Sequence, residues 1–133
     1  MLTQTIQQQT DWLSWKPKRG EIYLVNLGNE GVGSEQKGLR PFVILSNNIG
    51  NSMGNIVVGL PISSRNKGLP KIHVPVGHES GIKQDSYLLT EHIRSISKGR
   101  FFTRGNPVMV GQLTEKKLKE TEEAIKFELG FIS

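Results

Sequence analysis

At 133 residues and 35% apolar composition, the chain is long enough for one domain with a modest hydrophobic core. The absence of cysteine excludes disulfides and thiolate metal sites, and with no signal-like or 18-residue apolar segment we expect a cytoplasmic protein without a membrane span. The net charge of +5 is concentrated in residues 16–104, where thirteen Lys or Arg stand against six Asp or Glu, and such a field attracts polyanions.

Residues 1–17 are predicted to form an arm outside the main domain. The segment is rich in Gln and Thr, with apolar residues at helical spacing and two tryptophans, Trp12 and Trp15, near its end. A short helix and an irregular arm anchored by the tryptophans both fit this pattern. We therefore place the single folded domain at residues 18–133.

The rest of the chain is typical of a mainly β domain with a C-terminal helix, either a small barrel or a strongly twisted sheet. Thr114 is a good N-cap for a final helix of about sixteen residues, which Gly130 ends. Turn-rich sequence at 47–54 separates two of the strands. The predicted strands are 21–27, 42–46, 55–62, 71–76 and 86–96, the last bent or broken near residue 93, with a further short strand within 107–112.

Arg40 lies where the long Gly-rich loop 28–39 meets a strand. Loops of this length are uncommon unless they are functional or mobile. Pro41 restricts Arg40 to an extended conformation and, because it lacks an N–H, suits the first residue of a strand. From these residues alone, Arg40 either pairs with Glu35 or binds an anion.

No motif for metal or cofactor binding is present. The three histidines, His73, His78 and His92, do not have metal-ligand spacing, and no carboxylate cluster accompanies them. Phosphate-binding glycine motifs and a nucleophile elbow are also absent. We therefore expect no metal and no cofactor, and the residues alone indicate only a basic β domain compatible with nucleic-acid binding.

Four stretches resemble the MazF/PemK family of toxin ribonucleases. The similarity extends in order over about residues 18–130, and the loop that leads to Gly-Leu-Arg-Pro is its most specific part. The stretches are Arg-Gly-Glu-Ile-Tyr at 19–23, Gly-Ser-Glu-Gln-Lys-Gly-Leu-Arg-Pro at 33–41, Asn-Ile-Gly-Asn at 48–51, and Asp-Ser-Tyr-Leu-Leu-Thr-Glu-His-Ile-Arg-Ser-Ile at 85–96.

This resemblance implies an SH3-like barrel of the CcdB/MazF/PemK type and a homodimer. It also implies metal-independent cleavage of single-stranded RNA at short motifs, with a cognate antitoxin as inhibitor. Arg40 occupies the position of the catalytic arginine, and Ser63 that of a catalytic threonine, at the end of the third strand. We expect the Ser63 hydroxyl to be exposed there, with Ser64 as the alternative. Glu35 is a candidate general base or, equally, a salt-bridge partner.

The resemblance also implies where RNA binds. Three segments would line the groove: loop 28–39, loop 63–70 and the stretch 90–92. Single-stranded bases are recognised by splaying and stacking, which flexible loops and exposed edges allow. The predicted RNA-binding residues are Lys37, Gln36, Arg65, Lys67, Leu69, Glu91 and His92, with Lys37, Arg65 and Lys67 neutralising phosphates.

Two other functional classes fit the composition. One is a protein-binding toxin without nuclease activity, like CcdB, which shares the barrel fold and uses its terminal helix. The other is a non-catalytic nucleic-acid-binding barrel in which Arg40 only contacts phosphate. The intact Arg-Pro loop favours the enzyme over both.

Overall fold

The computed structural model describes residues 12–33, 35, 37–65, 68–103 and 105–133. These residues form a curled antiparallel sheet with a C-terminal helix, which confirms the predicted fold class. The strands are β1 (Glu21–Asn26), β2 (Leu39–Ile44), β3 (Ile56–Ser63), β4 (His73–Val76), β5 (Ser86–Leu89), β6 (Arg94–Ser97) and β7 (Met109–Gln112), and the helices are α1 (Asn48–Met53) and α2 (Glu115–Glu128).

The sheet has the strand order β4-β5-β3-β2-β1-β7, and β6 also pairs with β3. Strand β3 has three partners along its length: β6 at Ile56–Gly59, β2 around Leu60, and β5 at its end. Because β3 exchanges one partner for another, the sheet curls around it. The start of β2 and the end of β3 consequently lie side by side.

Side chains alternate between the two faces of β1, β2 and β3, and each face has its own core. The first, here called the helix-side core, includes residues of α2 and consists of Ile22, Val43, Leu60, Ile62, Val74, Val76, Ile82, Leu88, Leu113 and Ala124. The second, here called the aromatic core, consists of Tyr23, Val25, Leu27, Phe42, Ile44, Val57, Ile96 and Phe101, with Trp15 packed against it.

Two sequence predictions, for the start of β2 and for residues 47–54, are wrong. Strand β2 begins at Leu39, so Pro41 is its third residue, and pairing with β3 begins one residue later, at Phe42. The stretch 47–54 contains α1 instead of a turn. Its sequence has weak helical propensity, but the Asn47 side chain caps it by accepting from the Gly50 N–H at 2.8 Å.

Other predictions are confirmed. The expected break in the fifth strand is a 3-10 helix at Thr90–His92 between β5 and β6. Helix α2 begins after Thr114, whose Oγ1 accepts from the Lys117 N–H at 3.1 Å. Gly130 has φ of +80° and ends it, as expected for glycine after a helix.

The N-terminal segment docks on the aromatic core through Trp15. Its ring lies 5.0 Å from that of Tyr23 and 4.9 Å from that of Phe101. The buried Lys98 Nζ donates to the carbonyls of Trp15 and Asn51, both at 2.7 Å. Residues 12–14 are helical and Trp15 packs on the domain, and the prediction for residues 1–11 lies outside the described part of the chain.

No helix among the described residues has both the length and the apolar character needed to cross a membrane.

Candidate active site

Arg40 lines a cleft of about 540 Å³ where the start of β2 approaches the end of β3. Its Nε donates to the Lys37 carbonyl at 3.0 Å, so the backbone of the preceding loop holds the guanidinium. No acidic side chain lines the cleft among the described residues. Its lining residues are Arg40, Pro41, Ile62, Ser64, Gly81, Ile82, Lys83, Gln84, Ser86 and Val110.

Loop 28–39 is closed at its base by backbone hydrogen bonds. The Leu27 N–H donates to the Gly38 carbonyl at 2.9 Å, and the Gly38 N–H donates to the Gly28 carbonyl at 2.7 Å. Both glycines have φ near +80°, a conformation that other residues resist. These hydrogen bonds therefore fix the backbone at the end of the loop, two residues before Arg40.

The two serines at the end of β3 differ in exposure. Ser63 is only 2% exposed, and its Oγ accepts from the Arg65 N–H at 3.2 Å. The expected exposure of Ser63 is therefore wrong, because β3 continues through this residue and pairs it with Tyr87 of β5. Ser64 is exposed and lines the cleft with Arg40.

Register nevertheless relates Ser63 to Arg40. Phe42 pairs with Pro61 across β2 and β3, and continuing this register by two residues aligns Arg40 with Ser63. The β2–β3 pairing itself ends at Phe42 and Pro61, so the aligned Ser63 lies in the strand, while Ser64 lines the cleft with Arg40.

Glu35 lies elsewhere. It lines a smaller cleft of about 270 Å³ together with Pro61, His92, Ile93 and Arg94. Within the described part of the chain, Glu35 forms no ion pair with Arg40. The structure thus brings Arg40 together with a serine, and Glu35 together with His92, in two separate clefts.

Glu91 belongs to a third arrangement, with the buried His73. The His73 Nε2 lies 2.7 Å from Glu91 Oε2, and its Nδ1 accepts from the Leu69 N–H at 3.1 Å. Since Nδ1 accepts, the ring proton is on Nε2 and is donated to the carboxylate. This chain of hydrogen bonds ties the end of loop 63–70 to the 3-10 helix at Thr90–His92.

The remaining predicted RNA-binding residues lie on the surface or outside the described residues. Lys37 and Arg65 are exposed, and Leu69 is 49% exposed. Gln36 and Lys67 lie outside the described part of the chain.

Several residues in the family-like stretches have structural contacts. Arg19 donates from Nε to the Leu45 carbonyl at 3.0 Å and forms an ion pair with Glu122 of α2 at 2.9 Å. The amide of Asn51 is buried and donates to the Ser46 carbonyl at 2.8 Å. These side chains hold the elements around the clefts and do not line the Arg40 cleft.

Sequence reasoning missed the far wall of the Arg40 cleft. Lys83, Gln84 and Ser86 come from the segment between β4 and β5, far along the chain from Arg40. Only the packing of this segment against β7 brings it there, and no local motif indicates such a long-range contact.

A larger groove of about 690 Å³ lies between β4 and α2. Its floor includes Val74, Pro75 and Phe127, and Lys71 Nζ lies 5.3 Å from the centre of the Phe127 ring. It contains neither Arg40 nor a serine of β3. We therefore assign the candidate chemistry to the smaller Arg40 cleft.

No cluster of three or more His, Asp or Glu side chains suited to a metal ion occurs among the residues that the structure describes.

Comparisons with known proteins agree with the fold and the sequence stretches. A family model described as a PemK-like, MazF-like toxin of type II toxin–antitoxin systems matches residues 18–129. The Endoribonuclease MazF of Staphylococcus saprophyticus is 36% identical over 115 residues, which cover 85% of this chain and 91% of that protein.

Two solved structures show the same fold. MazF from Deinococcus radiodurans has a TM-score of 0.70 at 24% identity, covering 87% of this chain and 98% of the other. A mycobacterial endoribonuclease in complex with its cognate antitoxin has a TM-score of 0.66 at 23% identity, covering 86% and 94%.

Proposed function

The chain belongs to the family of PemK-like, MazF-like toxins of type II toxin–antitoxin systems, and from this premise we propose that it is a metal-independent endoribonuclease that cuts single-stranded RNA. The 2′-OH of a ribose would attack the adjacent phosphorus, and the 5′-oxygen of the next nucleotide would leave. The products would be a 2′,3′-cyclic phosphate and a 5′-OH.

The observation that carries the proposal is the cleft that Arg40 lines beside the end of β3, without a carboxylate among its described lining residues. A dianionic transition state requires donors and positive charge, and a nearby carboxylate would oppose it. The guanidinium presents a planar fork of N–H donors that matches two phosphate oxygens. One well-placed donor of this kind contributes on the order of 10²–10³ in rate.

The hydroxyl has two candidates, each with its own support. The family position and the continued β2–β3 register favour Ser63. Exposure and the lining of the cleft favour Ser64. Ser63 also fixes the start of the following loop, because its Oγ accepts from the Arg65 N–H.

Glu35 is the sequence-based candidate for the general base. Its position in the smaller cleft with His92 separates it from Arg40, so this role requires loop 28–39 to carry the carboxylate to the 2′-OH of an RNA bound at Arg40. The exposed Lys37, Arg65 and Leu69 lie on the loops that would contact such an RNA.

The proposal includes partners. The mycobacterial relative was solved with its cognate antitoxin, and MazF of Deinococcus radiodurans with MazE. By analogy, this chain is a homodimeric toxin that a cognate antitoxin neutralises. Its growth-inhibiting activity would then be the cleavage of cellular mRNA.

The experiment that tests the proposal uses purified chain, a long single-stranded RNA and excess EDTA. Cleavage should persist, and mass spectrometry of the fragments should find 2′,3′-cyclic phosphate and 5′-OH ends. The Arg40→Ala protein, prepared identically, controls for contaminating ribonucleases. Loss of cleavage in EDTA, or 5′-phosphate ends, would indicate metal-assisted hydrolysis by activated water instead. An intact RNA in every condition would favour a CcdB-like, protein-binding toxin.

A further inference from the structure

We propose that the turn at residues 81–84 is the second wall of the RNA cleft, where Lys83 binds a phosphate of the substrate and Gln84 contacts a base edge. The inference rests on the proposed ribonuclease function and deepens it. Nothing in the family resemblance assigns a role to either residue.

The first support is the charge of the cleft. Among the described lining residues the charged ones are Lys83 and Arg40, on segments far apart in sequence, and an apolar floor that includes Ile62, Ile82 and Val110 lies with them. The nearby Asp85 lies instead in a separate recess with Glu79. An apolar floor accommodates a base or ribose face, while two cations fit the phosphates on either side of a nucleotide.

The second support is the rigidity of the turn. Gly81 has φ of +85° and its N–H donates to the His78 carbonyl at 3.1 Å, while the Ile82 N–H donates to the Gly77 carbonyl at 3.0 Å. A Cβ at Gly111 of β7 would lie 2.0 Å from the Ser80 carbonyl oxygen, so the two backbones are in direct contact. Exposed side chains on this turn therefore start from a fixed backbone.

Gln84 is held in the same way. The buried Ser86 donates from Oγ to the Gln84 carbonyl at 2.8 Å, and Ile82 is inserted in the helix-side core. The Gln84 side chain is exposed at the cleft. Its amide offers both donors and an acceptor, which is what a base edge requires. Lys83, with a mobile point charge, suits a phosphate instead.

The test compares Lys83→Ala with Lys126→Ala, which removes the same charge from the outer part of α2, where Lys126 pairs with Glu123. Cleavage of a long single-stranded RNA in EDTA is measured over a series of salt concentrations. Lys83→Ala should lower kcat/KM about three- to tenfold at low salt and reduce the salt slope by about 0.7, the value for one phosphate contact in a single strand. Lys126→Ala should match the wild type.

The same variants are titrated with a fluorescein-labelled single-stranded RNA by anisotropy. This measurement separates the Lys83 phosphate site from the ribonuclease function, because it shows whether Lys83 contributes to RNA binding even if the wild type cuts no RNA. If the wild type cuts RNA and Lys83→Ala has the same kcat/KM and RNA affinity as Lys126→Ala at every salt concentration, the phosphate site is wrong and the ribonuclease proposal stands. If the wild type neither cuts nor binds RNA, both are wrong.

Gln84→Ala tests base contact through sequencing of the 5′ ends of the fragments. The variant should accept more bases at one position of the cleavage motif while it cuts its best sites within about tenfold of the wild-type rate, since one of several base contacts is lost. An unchanged set of cleavage sites would overturn the base-reading role. Thermal melting of each variant excludes unfolding as the cause.

Discussion

The two sides of the central sheet are built from the same strands but use polar groups differently. On the helix side, strand ends open into a cleft where Arg40 and Ser64 reach solvent. On the aromatic side, the polar group Lys98 is fully buried and satisfies two backbone carbonyls. The comparison indicates that substitutions on the first side should change catalysis, and substitutions on the second side should change stability.

The strongest test of this division is Arg40→Ala. Its guanidinium makes one hydrogen bond to a loop carbonyl, so the melting temperature should change little, while RNA cleavage falls by about two orders of magnitude or more. Arg40→Lys should not restore activity, because an ammonium lacks the bidentate fork. Arg100→Ala, which removes another exposed arginine, serves as the control. Full activity in the lysine variant would contradict the geometric argument.

The second test resolves the two serines. We expect Ser63→Ala to lower kcat by about a hundred- to a thousandfold, as for loss of one transition-state donor, and to destabilise by about 1 kcal/mol, since a buried hydrogen bond is lost. Ser63→Thr should be tolerated, and Ser64→Ala should be near neutral. Kinetics are measured well below the melting temperature of each variant. The reverse ranking would assign the working hydroxyl to Ser64, as its place in the cleft favours.

The features that could be predicted from the sequence are those that residues close together in the chain determine. Thr114 and Gly130 act within one helix turn, and both ends of α2 followed from them. Arg40 before Pro41 was also recognisable, because the loop and the strand that present it are adjacent in the chain. Long-range packing decided the rest. Ser63 is buried because β5 pairs with it, and Lys83 reaches the cleft only through the contact of its turn with β7.

The short helix α1 illustrates the same limit. Residues 47–54 have the composition of a turn, and their helical conformation depends on groups elsewhere. Asn51 is held by Ser46, and its carbonyl accepts from Lys98, which lies 47 positions along the chain. A tertiary contact of this kind outweighs weak local propensity.

The third test asks whether the smaller cleft takes part in the reaction. Because Glu35 and Arg40 line different clefts, Glu35→Gln should lower kcat no more than a few-fold and leave the pH–rate profile in place. A general base would instead contribute about 10²–10⁴. A loss of that size, with the acidic limb of the profile removed, would show that the loop carries Glu35 to the reacting 2′-OH.

The smallest expected effect tests the aromatic side through Tyr23, whose hydroxyl donates to Glu21 Oε1 at 3.0 Å. Burial and this carboxylate raise its pKa to about 12 from 10.0. The folded state therefore keeps the phenol protonated while the unfolded chain ionises near pH 10, so this contribution to stability is complete below pH 10 and is lost as pH rises towards 12.

We expect the wild type to lose roughly 1–3 kcal/mol of unfolding free energy across this range relative to Tyr23→Phe, which has no phenol to ionise. Burial lowers the pKa of Lys98, so Lys98 makes the folded state more stable as pH rises. Both proteins contain Lys98, so its contribution cancels in the difference between their unfolding free energies. Urea unfolding at several pH values measures this difference. Phenolate absorbance near 295 nm, with Tyr87→Phe as the matched control, reports the titration of Tyr23 directly. Parallel stability curves for the wild type and Tyr23→Phe would mean that the phenol is not held by the aromatic core.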